Sequence, residues 1–139
     1  MRVCVLAALC AAAVLVPSAV ASHARSGDLH ATKNCTGFTG NAGSYCEITS
    51  SNLPQIEVGS RVTYLQPALV ATPAGSDVVL DLPGPGNNVA FGNCSLAVGH
   101  CTFSGGTGKF THFAADIAVS HLGGLDWAWD GTYSLSPNG

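Results

Sequence analysis

The sequence predicts an all-β domain, a sandwich or a closed barrel, on three observations. Beyond residue 33, apolar and polar residues alternate in short runs, the period of a half-buried strand. The runs are separated by Pro73-Ala74-Gly75, Pro83-Gly84-Pro85-Gly86-Asn87, Gly105-Gly106-Thr107-Gly108 and Gly123-Gly124, residues that suit turns. A credible helical pattern is confined to the first 21 residues. Composition agrees: with 47% hydrophobic and 9% charged residues among 139, the chain is neither a long disordered segment nor a coiled coil. A net charge of −3 argues against a nucleic-acid partner, which would need basic residues to meet phosphates.

Residues 1–21, MRVCVLAALCAAAVLVPSAVA, have one basic residue, an apolar stretch from Val3 to Val16, then Pro17 and the small-residue site Ala19-Val20-Ala21. That order is a secretory signal peptide, and the apolar run is too short for a membrane span. The mature protein is therefore expected to be secreted or periplasmic, with no membrane attachment after cleavage. Residues 22–33 are polar and unpatterned, and read as a flexible N-terminal arm. Strands are expected at 45–50, 60–70, 77–82, 89–91, 94–98, 101–103, 110–121 and 126–136, all within one domain covering 34–139.

The last two strands allow their register to be chosen. In 110–121 the apolar Phe113, Ala115, Ile117 and Val119 alternate with His112, Asp116 and Ser120. In 126–136, Trp127, Trp129, Tyr133 and Leu135 share one side, while Asp126, Asp130, Thr132 and Ser134 share the other. A two-residue turn at Gly123-Gly124 would mix polar and apolar groups on both faces. A three-residue loop, Gly123-Gly124-Leu125, pairs Val119 with Trp129, Ile117 with Gly131 and Ala115 with Tyr133, giving one apolar face. Because a one-residue slip exchanges every side chain's face, burial selects this second register. His112, Asp116 and Asp130 then face solvent as surface groups.

Four cysteines follow the signal peptide: Cys35, Cys46, Cys94 and Cys101. An even count in an exported chain points to disulfides, and of the three connectivities Cys35–Cys46 with Cys94–Cys101 is favoured, because each pair brackets one turn. Zinc is disfavoured: there is no CxxC pair, and His100 adjoins Cys101 instead of standing at a ligand-like interval. The Gly-rich turn fails the P-loop pattern, since positions 103 and 110 are Phe where Gly and Ser or Thr are required. No nucleophile elbow is present, and His112 and Asp116 on one strand would stand roughly 13 Å apart. No catalytic residue, metal or cofactor is assigned. Tyr64, Gln66, Trp127, Trp129 and Tyr133 are the best candidates for a ligand pocket, because Tyr and Trp combine apolar area with a hydrogen-bond donor.

The strings Cys101-Thr102-Phe103-Ser104 followed by Gly105-Gly106-Thr107-Gly108-Lys109-Phe110, and Trp129-Asp130-Gly131-Thr132-Tyr133, resemble the allene oxide cyclase and dirigent proteins. The stretch from about Asn93 to Leu135 is also similar to a group of small exported proteins of unassigned function. The resemblance covers the C-terminal third and implies a small antiparallel up-and-down barrel of about eight strands whose mouth admits an apolar molecule. Dirigent proteins typically carry an arginine in the long strand after this turn, and residues 111–119 have none. The expected function is accordingly non-enzymatic, with a small apolar ligand or a surface role. The alternative is a cyclase-type enzyme that shapes a reactive intermediate, for which Tyr64 and Tyr133 could supply a converging pair. The sequence leaves the oligomeric state open.

Overall fold

The computed structural model describes residues 24–71 and 73–137. The expected signal peptide lies outside them. Eight strands run in chain order: β1 Arg25–Asn34, β2 Tyr45–Ser51, β3 Arg61–Tyr64, β4 Ser76–Asp81, β5 Val89–Ser95, β6 His100–Gly106, β7 Phe113–Gly123 and β8 Asp126–Leu135. Each pairs antiparallel with the next, and β8 returns to β1 to close an up-and-down barrel. Full closure removes the unpaired edges that an open sheet exposes.

The C-terminal ribbon has the register that burial selects. Val119 stands opposite Trp129, Ile117 opposite Gly131 and Ala115 opposite Tyr133, with a bulge between His121 and Gly123 leading into the turn. Trp129, Ile117 and Phe113 are fully buried, while Asp116 and Asp130 are exposed. Gly131 is needed for this packing: a Cβ there would collide with the Asp116 carbonyl oxygen across the ladder.

Four expectations need correction. Residues 25–34 are not a flexible arm but β1, and its alternation places Leu29, Ala31 and Lys33 inward and buried. The expected strands 89–91 and 94–98 are one strand, β5, whose Gly92 lets the chain continue where a Cβ would strike the Thr102 carbonyl. Strand 60–70 is shorter, ending at Tyr64. Beyond it Gln66 takes over as a local strap: its backbone N–H donates to Ser76 Oγ at 3.0 Å, and its Oε1 accepts from the Asp77 N–H at 2.6 Å. Strand 110–121 likewise starts later, because Gly108–Phe110 form one turn of 3-10 helix and His112 takes a positive φ of 59°.

The two barrel ends differ. At one end, the loops β2–β3 and β4–β5 and the 3-10 turn bury Leu53, Ile56, Leu82 and Phe110 as a plug. The Gly-rich stretch is part of this closure: Thr107 N–H donates to the Val89 carbonyl at 2.7 Å, and Lys109 N–H to Asn88 Oδ1 at 3.0 Å. Lys109 Nζ donates to Glu57 Oε1 at 2.8 Å, tying two of these loops together. The opposite end is formed by residues 35–44, 65–71, 73–75, 96–99 and 124–125, none of which is charged.

Both expected disulfides are present, Cys35–Cys46 and Cys94–Cys101. The first ties the residue following β1 to β2 and the second joins β5 to β6, both beside the uncharged end, and all four cysteines belong to the buried core. Such bridges restrict the unfolded chain and suit an oxidising compartment.

Two measurements check this account. Gly131→Ala should lower unfolding free energy by about 2 kcal/mol or more through backbone collision, seen as an earlier urea midpoint with unchanged slope. Replacing Cys94 and Cys101 together with alanine should cost about 2–4 kcal/mol by the same measurement.

Candidate functional site

A cavity of about 190 Å³ opens between the uncharged loops. Its walls are apolar: Phe38, Val70, Leu96, Val119, Trp127 and the Cys35–Cys46 bridge, with Gly99 at one side. Phe38 reaches in from the β1–β2 loop and sets its ring edge-on to Tyr64 at 5.0 Å between centroids. Around the mouth, Leu65, Leu69, Val70, Val98, Leu122 and Leu125 are exposed. Only Val58 and Phe91 among the large exposed apolar side chains of the described residues lie elsewhere. An apolar rim around an apolar hole lowers the cost of moving an apolar molecule from outside to inside.

The polar groups bordering the cavity come from β1 and β3. Lys33, inward on the same face as Leu29 and Ala31, is 2% exposed, and Tyr64, at the end of β3, is 1% exposed. Lys33 Nζ donates to Tyr64 Oη at 3.1 Å. The ammonium lies 5.0 Å from the centroid of the Trp129 ring, whose negative face favours a cation, and it meets Tyr64 at the hydroxyl end of the ring. Among the described residues no carboxylate lies within ion-pairing distance of Lys33. Desolvation brings its pKa down to about 8, and desolvation pushes the Tyr64 phenol up to about 12. Trp129 Nε1, also buried, has no hydrogen-bond partner. The polar groups here are therefore mainly donors: the ammonium accepts nothing, and Tyr64 spends an acceptor on Lys33 while its own hydrogen stays available.

Of the residues singled out from sequence, Tyr64 and Trp127 border the cavity. Trp129 is fully buried against Lys33 without forming part of the wall. Gln66 is exposed in the strap beside Ser76 and Asp77. Tyr133 sits toward the plugged end, half-buried over Gly27. No hydrogen bond or ring contact joins Tyr64 and Tyr133 among the described residues. The acids stay outside the barrel with histidine partners: His30 with Asp130 at 2.7 Å and His100 with Asp116 at 2.9 Å, exposed pairs of small energetic weight.

Lys33 is the residue that sequence reading passed over. Its signal was the phase Leu29, Ala31, Lys33, which would have placed a lysine on an inward face. Phe38, Leu96 and Val119 became wall residues only once closure brought three loops and strands to one mouth. Compared with models of known protein families, with curated proteins and with solved structures, the chain matches none.

Lys33 makes stability depend on pH with a definite sign. Between about pH 8 and 10.5 the unfolded chain holds a proton that the folded chain has released, so stability rises with pH across that window. Tyr64 acts oppositely between 10 and about 12, where the unfolded chain loses its proton first. Urea melts at pH 7 to 10 should therefore show a gain of about 2 kcal/mol. Lys33→Met should remove most of that gain and be more stable than the wild type at pH 7, since it relieves a buried, unpaired charge.

Proposed function

We propose that this protein is an exported carrier for one small, mostly apolar molecule held at the uncharged end of the barrel. The observation that carries this reading is the apolar cavity of about 190 Å³ bordered by the Lys33–Tyr64 pair. Its volume exceeds the ~150 Å³ engineered apolar cavity that takes benzene, and falls below the ~300 Å³ typical of pockets for drug-sized ligands. A single aromatic ring or a chain of about six carbons suits that space. With donors on the protein side, the ligand's polar end is an oxygen acceptor such as a carbonyl, ether or carboxylate.

Export is supported by the disulfides and by the leader-like residues 1–21. Kinship to the allene oxide cyclase and dirigent proteins is retained as a proposal on the sequence resemblance alone. A cyclase-type activity is the less favoured reading, because the acids Asp116 and Asp130 are outside and Tyr133 stands apart from Tyr64.

Trp127 borders the cavity, so binding should register in tryptophan emission. Titration with hexanol or benzyl alcohol should shift that emission saturably. Leu96→Trp, which fills the cavity from the β5–β6 loop, should weaken binding by about tenfold or more while the far-ultraviolet spectrum stays unchanged. Unsaturable, variant-independent emission changes would count against a carrier.

A further inference from the structure

The Lys33–Tyr64 pair has the ingredients for covalent as well as reversible capture. The amine is enclosed, has no carboxylate beside it among the described residues, and borders a cavity open to one side. A phenol stands 3.1 Å from it, and the Trp129 ring lies 5.0 Å away. Resting on the carrier reading, we propose that Lys33 captures small apolar aldehydes in the cavity as a reversible imine.

The chemistry balances without a co-reactant. The neutral Lys33 amine adds its lone pair to the aldehyde carbon, and the carbonyl oxygen gains a proton to give a carbinolamine. Loss of that hydroxyl as water, with the remaining N–H proton released, leaves the C=N bond; aldehyde plus amine has become imine plus water. Tyr64 is placed to donate a hydrogen bond to the departing hydroxyl, being uncharged across the neutral range. The apolar wall limits the return of water, and the ring face of Trp129 favours the positive charge of a protonated imine. Burial supplies the nucleophile: with its pKa at about 8, roughly a tenth of Lys33 is neutral at pH 7, against well under one part in a thousand for an ordinary lysine.

The chain holds an internal control. Lys109 is the other lysine, exposed and paired with Glu57. Incubating the full protein with hexanal or benzaldehyde and sodium cyanoborohydride at pH 7, then mapping peptides by mass, should place the reduced adduct on Lys33 at least about tenfold faster than on Lys109. Tyr64→Phe should slow labelling of Lys33 while leaving that of Lys109 untouched, and Leu96→Trp should suppress Lys33 labelling selectively. Equal labelling of the two lysines, or labelling of Lys109 alone, would overturn the assignment. The alcohol titration separates the two readings. Saturable binding of hexanol with no trapping of hexanal sinks the imine and leaves the carrier standing; absence of both sinks the carrier. Tight binding of hexanoate without aldehyde trapping would make Lys33 a counter-ion and likewise overturn imine formation.

Discussion

The pairing of β1 with β8 is the constraint on which the rest depends. Ten residue pairs, from Arg25 opposite Leu135 to Asn34 opposite Asp126, convert a curved sheet into a closed wall. Closure leaves no unpaired edge, and it turns the inward face of β1 into core. That ladder is also what takes Lys33 out of water. Lys33 stands opposite Trp127 and Ala31 opposite Trp129, so the amine enters a space already furnished with indole rings. A chain in which β1 stayed loose would have neither a sealed barrel nor a perturbed amine.

Apart from Lys33, no charged side chain among the described residues is buried. Ion pairs among the described residues lie on the outer surface or at the plugged end, where water screens them. The interior is hydrocarbon and aromatic apart from Lys33, Tyr64 and a few hydroxyls near the strand ends such as Ser60 and Ser76. Those hydroxyls are satisfied by nearby backbone: Ser60 donates to the Glu57 carbonyl at 2.6 Å and Ser76 to the Asp77 carbonyl at 2.9 Å. Lys33 is satisfied only in part, which is why it stands out as chemistry and not as packing.

Much of this was legible in the residues, and the misses have physical causes. The β7–β8 register followed from one rule, that a face must be wholly apolar to be buried, and Val119 opposite Trp129 obeys it. The disulfides followed from short loops. β1 was illegible because Gly27, Asp28 and Asn34 are weak strand formers and its inward phase includes a lysine, so neither propensity nor alternation marked it. The split at Gly92-Asn93 arose because glycine and asparagine usually punctuate, whereas here the glycine admits a close neighbour strand. The cavity could not be read at all, because its walls come from segments far apart in the chain.

A barrel plugged by Leu53, Ile56, Leu82 and Phe110 has one door. Anything lodged behind Phe38 must depart along the path by which it arrived, and a newcomer cannot push from the rear. Exchange then waits on vacancy, and the departure rate is indifferent to how much competitor is present outside. In the proposed carrier, retention time would depend both on how well the interior fits its guest and on how readily Phe38, Val70 and Leu96 give way at that threshold.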